Sequence, residues 1–152
     1  MESQTKVKTR KSIAESTAVT IRFAGDSGDG MQLTGDQFTD TAAVMGNDFA
    51  TLPDFPAEIR APAGTLPGVS SFQIQFSKEV IFTPGDLCDV LITMNPAALK
   101  VNIPNVKKGG LIFVNENTFD DAHVKKAGWK QNPLQDATLK DFQVVKVPLS
   151  AL

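Results

Sequence analysis

The sequence predicts a layered α/β domain with a largely parallel sheet. Three observations carry that expectation. Short β-branched or continuously apolar runs recur at residues 19–24, 89–94 and 110–114. Helical or loop crossovers separate them, which is the alternation a parallel sheet requires. The first run passes through a glycine-rich turn straight into an amphipathic stretch.

Each element has its own local reason. Val19-Thr20-Ile21-Arg22-Phe23-Ala24 alternates and is rich in β-branched residues, so it predicts a strand. Gly25-Asp26-Ser27-Gly28-Asp29-Gly30 follows as a tight turn. Met31, Gly35, Phe38, Ala42 and Met45 then step by four, three, four and three, which predicts one helical face. Gly35 on that face permits a close approach to the strand. Asp29 is a candidate N-cap, and Gly46 a candidate left-handed C-terminal residue. Residues 51–68 carry Pro53, Pro56, Pro62 and Pro67 with Gly64 and Gly68, a density that predicts no regular element. The same stretch holds Leu52, Phe55, Ile59 and Leu66, so it reads as an ordered loop packed on something.

Residues 69–78 alternate, with Phe72, Ile74 and Phe76 opposed to Ser71, Gln73 and Gln75, which predicts a half-buried strand. The 69–82 stretch is a candidate antiparallel hairpin. Residues 89–94 form a continuous apolar run ended by Asn95-Pro96, the pattern of a strand buried on both faces. Pro96 suits the first turn of a helix. Residues 110–114 predict another buried strand, ended by Asn115. A mixed polar segment follows, and residues 142–147 predict a last strand.

Composition removes whole classes of function. The 152 residues suit one domain and carry a net charge of -2. One cysteine, Cys88, excludes a disulfide within the chain and a self-contained iron–sulfur cluster or cysteine-rich zinc site. One histidine, His123, excludes a multi-histidine metal centre. No metal site is therefore expected. The near-neutral charge argues against a nucleic-acid partner. No run approaches the roughly 18 apolar residues of a membrane span, and no apolar leader opens the chain. The expected setting is cytoplasmic. Lys6, Lys8, Arg10 and Lys11 mark residues 1–18 as a flexible basic tail ahead of a domain at 19–152.

Three constellations could carry chemistry. The turn at Gly25, Gly28 and Gly30 reverses the spacing of the dinucleotide fingerprint G-x-G-x-x-G. Asp26 and Asp29 within it would repel a pyrophosphate, so the turn reads as a structural element that lines a cleft. The proline-stiffened loop presents Glu58 and Arg60. A lone arginine there needs a partner, either Glu58 or Asp54 locally, or a carboxylate or phosphate on a ligand or another protein. Asn95 and Asn115 directly follow strands, at the sheet edge where α/β proteins bind ligands. They serve equally as plain turn formers. Cys88 reads as a small core residue and His123 as a solvated side chain. No catalytic residue is read.

Taken together, these residues resemble a known family. The turn Gly25-Asp26-Ser27-Gly28-Asp29-Gly30 is similar to the G-x-G-G-x-G turn that opens the gamma domain of 2-oxoacid:ferredoxin oxidoreductases. Pro56-Ala57-Glu58-Ile59-Arg60 resembles the acidic–x–arginine segment of that domain. The strands at 70–78 and 89–92 follow in the expected order. The likeness covers residues 19–150 and is nearest to the N-terminal part of a fused gamma–alpha subunit of the 2-oxoglutarate type. Ala61-Pro62 departs from a glycine pair common after the arginine.

The resemblance implies a Rossmann-like fold and a share in the oxidative decarboxylation of a 2-oxoacid with coenzyme A, giving acyl-CoA and reduced ferredoxin. It implies that thiamine diphosphate, magnesium and iron–sulfur clusters serve the holo-complex and that this segment alone binds no cofactor. The implied partners are the alpha domain of the same subunit, a beta subunit and, through the complex, ferredoxin. The isolated segment is then inactive and C-terminally truncated. The 25–30 turn would line a cleft, with Glu58, Arg60 and Asn95 facing a partner or coenzyme A. The alternatives are a stand-alone Rossmann-like nucleotide-binding module and a purely structural interaction module.

Overall fold

The computed structural model describes residues 15–151. The basic cluster at residues 6–11 lies outside them. The described chain runs β1 (Ala18–Asp26), α1 (Met31–Val44), β2 (Asp48–Asp54), β3 (Val69–Ser77), β4 (Cys88–Thr93), α2 (Pro96–Asn102), β5 (Val106–Asn115), α3 (Asp121–Lys126) and β6 (Gln143–Val147). Single 3₁₀ turns connect some of these, including Leu66–Gly68.

The strands form one six-stranded sheet in the order β2-β3-β1-β4-β5-β6. β1, β4, β5 and β6 pair in parallel. β3 runs antiparallel to both β1 and β2, so it alone opposes the other five strands. The antiparallel element predicted at 69–82 is therefore real, but it is no local hairpin. β3 slots between β1 and β2, while Val80, Ile81 and Phe82 form no strand.

Two cores lie on opposite faces of the sheet. Phe23, Phe72 and Ile74 pack against Met31 and Ala42 of α1. Ala24, Leu91, Ile112 and Val114 pack against Ala97, Ala98 and Leu99 of α2 and Val124 of α3. Successive strand residues point to opposite faces, so Phe23 and Ala24 serve different layers. Gly35 performs as the periodicity predicted: a Cβ there would collide with the Phe72 ring. Met45 departs from the predicted face and is exposed, because it lies past the end of the helix as its C-cap. Gly46 then takes the left-handed conformation at φ 78°.

Two other expectations need correction. The proline-rich stretch does contain a regular element, since β2 runs to Asp54 and includes Pro53. Proline is tolerated there because β2 is an edge strand with a single neighbour. β3 is buried on both faces rather than one. Gln73 is 1% exposed because the 84–85 backbone covers it, accepting from its amide at 2.9 and 2.6 Å.

Candidate functional site

The chain leaves β1 through α1 toward one side of the sheet and leaves β4 through α2 toward the other. The helices pack on opposite faces, so the carboxyl ends of β1 and β4 flank a topological switch point. That is where open α/β sheets form a crevice. A cavity of about 280 Å³ lies there. Asp26 and Asp29 from the glycine turn, Asn95 after β4 and Asn115 at the end of β5 all line it. Thr118, His123 and Lys126 close the far wall.

The turn folds on its own carboxylates. The Asp26 backbone N–H donates to Asp29 Oδ2 at 2.8 Å, and the Asp29 N–H donates to the Asp26 carbonyl at 2.9 Å. Gly25 is required by this closure, because a Cβ there would sit 2.7 Å from Asp29 Oδ2. Asp29 is consequently not the helix cap predicted for it. Gly30 occupies the N-cap at φ 72° and no side chain caps α1.

The loop after β2 returns to the turn. Gly64 N–H donates to Asp26 Oδ2 at 2.8 Å, and Ser27 N–H donates to the Gly68 carbonyl at 3.1 Å. Burial pushes the Asp26 carboxyl above its ordinary range, and the Asp29 charge adds to this. The Gly64 N–H, the Asn95 amide and Lys126 pull the other way. Asp26 Oδ1 is enclosed and has no hydrogen-bond partner. Asn115, 2% exposed, donates from Nδ2 to Ser150 Oγ at 3.0 Å and leaves its own Oδ1 without a partner. Asn95 does cap α2, accepting from the Ala98 N–H at 2.8 Å.

Of the predicted site residues, the structure brings Asp26, Asp29 and Asn95 together on the cavity wall. Gly25, Ser27, Gly28 and Gly30 shape the turn but do not line the cavity. Glu58 and Arg60 stand apart from it, exposed at the loop tip beside Ile59, which is 90% exposed. Neither local partner predicted for Arg60 is taken: among the described residues it forms no ion pair, and Asp54 pairs with Arg22 instead.

The sequence reading missed α3 and with it Lys126. His123 is exposed but not simply solvated, since Asp120 holds its ring Nδ1 at 2.6 Å. The His123 backbone N–H, donating to Asp120 Oδ1 at 3.0 Å, and after it the ring contact hold the Asp120 carboxyl below its usual range. The helix signal was available in Asp120 as N-cap and Gly128 just past the last turn. Cys88 is fully buried, and its thiol is pushed up to about 11 by desolvation. Among the described residues, no three His, Cys, Asp or Glu side chains gather to hold a metal ion. No helix there is long and apolar enough to cross a membrane. Carboxylates, amides and hydroxyls line the cavity, with a lysine and a histidine among them.

Residues 20–152 match the family described as pyruvate ferredoxin/flavodoxin oxidoreductase. The chain is 58% identical over 134 residues to 2-oxoglutarate oxidoreductase subunit KorA of Mycobacterium tuberculosis, covering 88% of this chain. It spans only 20% of that curated relative. A solved structure of 2-oxoglutarate:ferredoxin oxidoreductase from Magnetococcus marinus, with 2-oxoglutarate, coenzyme A and succinyl-CoA bound, superposes with a TM-score of 0.69 at 26% identity. That match covers 90% of this chain and 21% of the other. The keto/oxoacid ferredoxin oxidoreductase gamma subunit of Geobacter sulfurreducens shares the fold, with a TM-score of 0.58 at 16% identity, over 88% of this chain and 62% of that one.

Proposed function

The chain belongs to the pyruvate ferredoxin/flavodoxin oxidoreductase family, and on that premise we propose that it is the gamma domain of a 2-oxoglutarate:ferredoxin oxidoreductase. The assembly decarboxylates a 2-oxoacid, transfers the acyl group to coenzyme A and passes the electrons to ferredoxin. The observation that carries this reading is the 58% identity across 88% of the chain to a 2-oxoglutarate oxidoreductase subunit. A cytoplasmic setting belongs to the same reading.

The domain's own part is binding and assembly. Its donor set does not fit an iron–sulfur cluster, since the sole cysteine is buried and its thiol resists ionisation. The redox and thiamine chemistry then resides in an alpha domain and a beta subunit beside it. Asp26, Asp29 and Asn95 hold one wall of a cleft open toward coenzyme A. Glu58 and Arg60 face a neighbouring domain or the same cosubstrate from the exposed loop tip.

The test is reconstitution. Co-expression with an alpha domain and a beta subunit should give ferredoxin reduction that requires both 2-oxoglutarate and coenzyme A. The isolated chain should give none. Turnover by the chain alone, or an assembly equally active without it, overturns the reading.

A further inference from the structure

Asn95 lines the cleft from the N-cap of α2, while His123 and Lys126 line it from α3. The Lys126 stem also crosses to the opposite loop, since a Cβ on Gly64 would lie 3.6 Å from Lys126 Cδ. The placement of α3 therefore sets how the cleft rim stands. α3 cannot fix that placement by itself. It has six residues, well below the roughly 12–15 that a free helix needs. Val124 alone among the six is buried, and one buried side chain locates a helix without stopping it from turning about that point.

A second anchor sits where α3 ends. Trp129 N–H donates to the Val124 carbonyl at 3.1 Å, and Gly128 N–H donates to the Lys125 carbonyl at 2.9 Å. With Gly128 at φ 75°, these bonds make a Schellman ending, which turns the chain back toward α2. Trp129 Nε1 then donates to the Pro96 carbonyl at 2.9 Å. Lys100, one turn further along α2, donates from Nζ to the Gly128 carbonyl at 2.7 Å. The same ammonium lies 5.3 Å from the centre of the Trp129 ring, within range of attraction to an indole face. Its charge also suits the carbonyl end of α3. A Cβ on Gly128 would stand 3.2 Å from Lys100 Nζ, so glycine there leaves the ammonium its place.

We propose that Lys100, clasping Trp129 and Gly128, is a positioning residue: it holds α3 at a fixed angle to α2 and so keeps His123 and Lys126 on the rim opposite Asn95. Lys100 lines no part of that cavity itself. This assignment rests on the proposed contact of the cleft with coenzyme A.

The experiment is steady-state kinetics of the assembled oxidoreductase, varying each substrate with the other saturating. Lys100→Met keeps most of the stem and removes the charge and the donors. The KM for coenzyme A should rise about fivefold, the scale of one hydrogen bond lost at the rim. The kcat and the KM for 2-oxoglutarate should stay within about twofold. Lys100→Arg keeps a cation over the ring and should return the KM for coenzyme A to within about twofold of the unmodified value. Trp129→Phe loses the bond to Pro96 and should raise that KM in the same direction as Lys100→Met. A clasp that serves stability alone would lower kcat through loss of active assembly and leave the KM unmoved, and that result overturns the proposal. An arginine variant as impaired as the methionine one also overturns it. If turnover requires coenzyme A but Lys100→Met leaves its KM unchanged, the clasp falls and the coenzyme A reading stands. If the unmodified assembly turns over without coenzyme A, both fall.

Discussion

Arg22 Nη2 donates to Asp54 Oδ2 at 2.8 Å, tying the sheet's centre to the last residue of its edge strand. The same guanidinium reaches Asn102 Oδ1 on α2 at 2.6 Å and Gln73 Oε1 on β3 at 3.1 Å. Arg22 is 6% exposed, so each of its three partners is fixed by one buried cation. The proline-rich loop departs directly from Asp54, which makes this cluster the anchor of the segment carrying Arg60.

Arg22→Ala should therefore destabilise the chain by about 3 kcal/mol, mostly by orphaning the buried Gln73 and Asn102 oxygens. Asp54→Asn should cost about 1 kcal/mol at most, because Asp54 is more than half exposed and an amide can still accept. Urea unfolding followed by circular dichroism gives both values. Equal losses would show that the charge, and not the buried hydrogen bonding, dominates.

Gly35→Ala pits two effects against each other. Alanine favours a helix interior by up to about 1 kcal/mol over glycine. The new methyl meets the Phe72 ring, and overpacking of this kind costs about 1–3 kcal/mol. Net destabilisation is expected in a denaturant titration, and Phe72→Leu in the same chain should recover part of it.

Asp26 gives stability a pH dependence of definite sign. Its folded-state pKa is raised above the ordinary 3.8, so the native chain holds its proton more tightly than the unfolded one. The group's favourable contribution is complete below 3.8 and is lost as pH rises through the folded value. Asp26→Asn should melt higher than the unmodified chain at neutral pH, with the difference shrinking in acid. Thermal melts at pH 3, 5 and 7 test this, and a difference that grows in acid would contradict it.

Cys88 should resist thiol reagents in the folded chain. With its pKa near 11, only about one molecule in a thousand carries a thiolate at pH 8, and the residue is fully buried. Labelling by iodoacetamide should proceed at the rate of unfolding and rise sharply in denaturant. Rapid labelling under native conditions would place the thiol elsewhere.

Arg60→Ala separates a surface role from a structural one. The side chain is exposed and forms no ion pair among the described residues, so its removal should change stability by less than about 0.5 kcal/mol. In the assembled oxidoreductase the same change should weaken subunit association or raise the KM for coenzyme A. Unaltered assembly and kinetics would remove Arg60 from the interface.

The strands were legible because their signals are local. Alternation in β1 and the apolar run of β4 depend on a few neighbouring residues each, and the helix cap at Asn95 is written in Asn95-Pro96. β2 was obscured because the tolerance for Pro53 depends on having only one neighbour, a property of the assembled sheet. The site was half legible for the same reason. Asp26, Asp29 and Asn95 sit at strand ends, where topology brings ligands. Lys126 and His123 reach the cleft from a helix whose six residues give too short a periodic pattern to stand out. The pairing of Arg22 with Asp54, 32 positions apart in the chain, leaves no local trace at all.

The reversed insertion of β3 also sets an order of events during synthesis. β1 is the first strand of the described chain, yet its neighbours, β3 and β4, lie at residues 69–77 and 88–93. As the chain leaves the ribosome, β1 waits for about fifty further residues before β3 can meet one hydrogen-bonding edge, and for about seventy before β4 can meet the other. A nascent chain halted before β4 would expose an apolar strand bare along one edge.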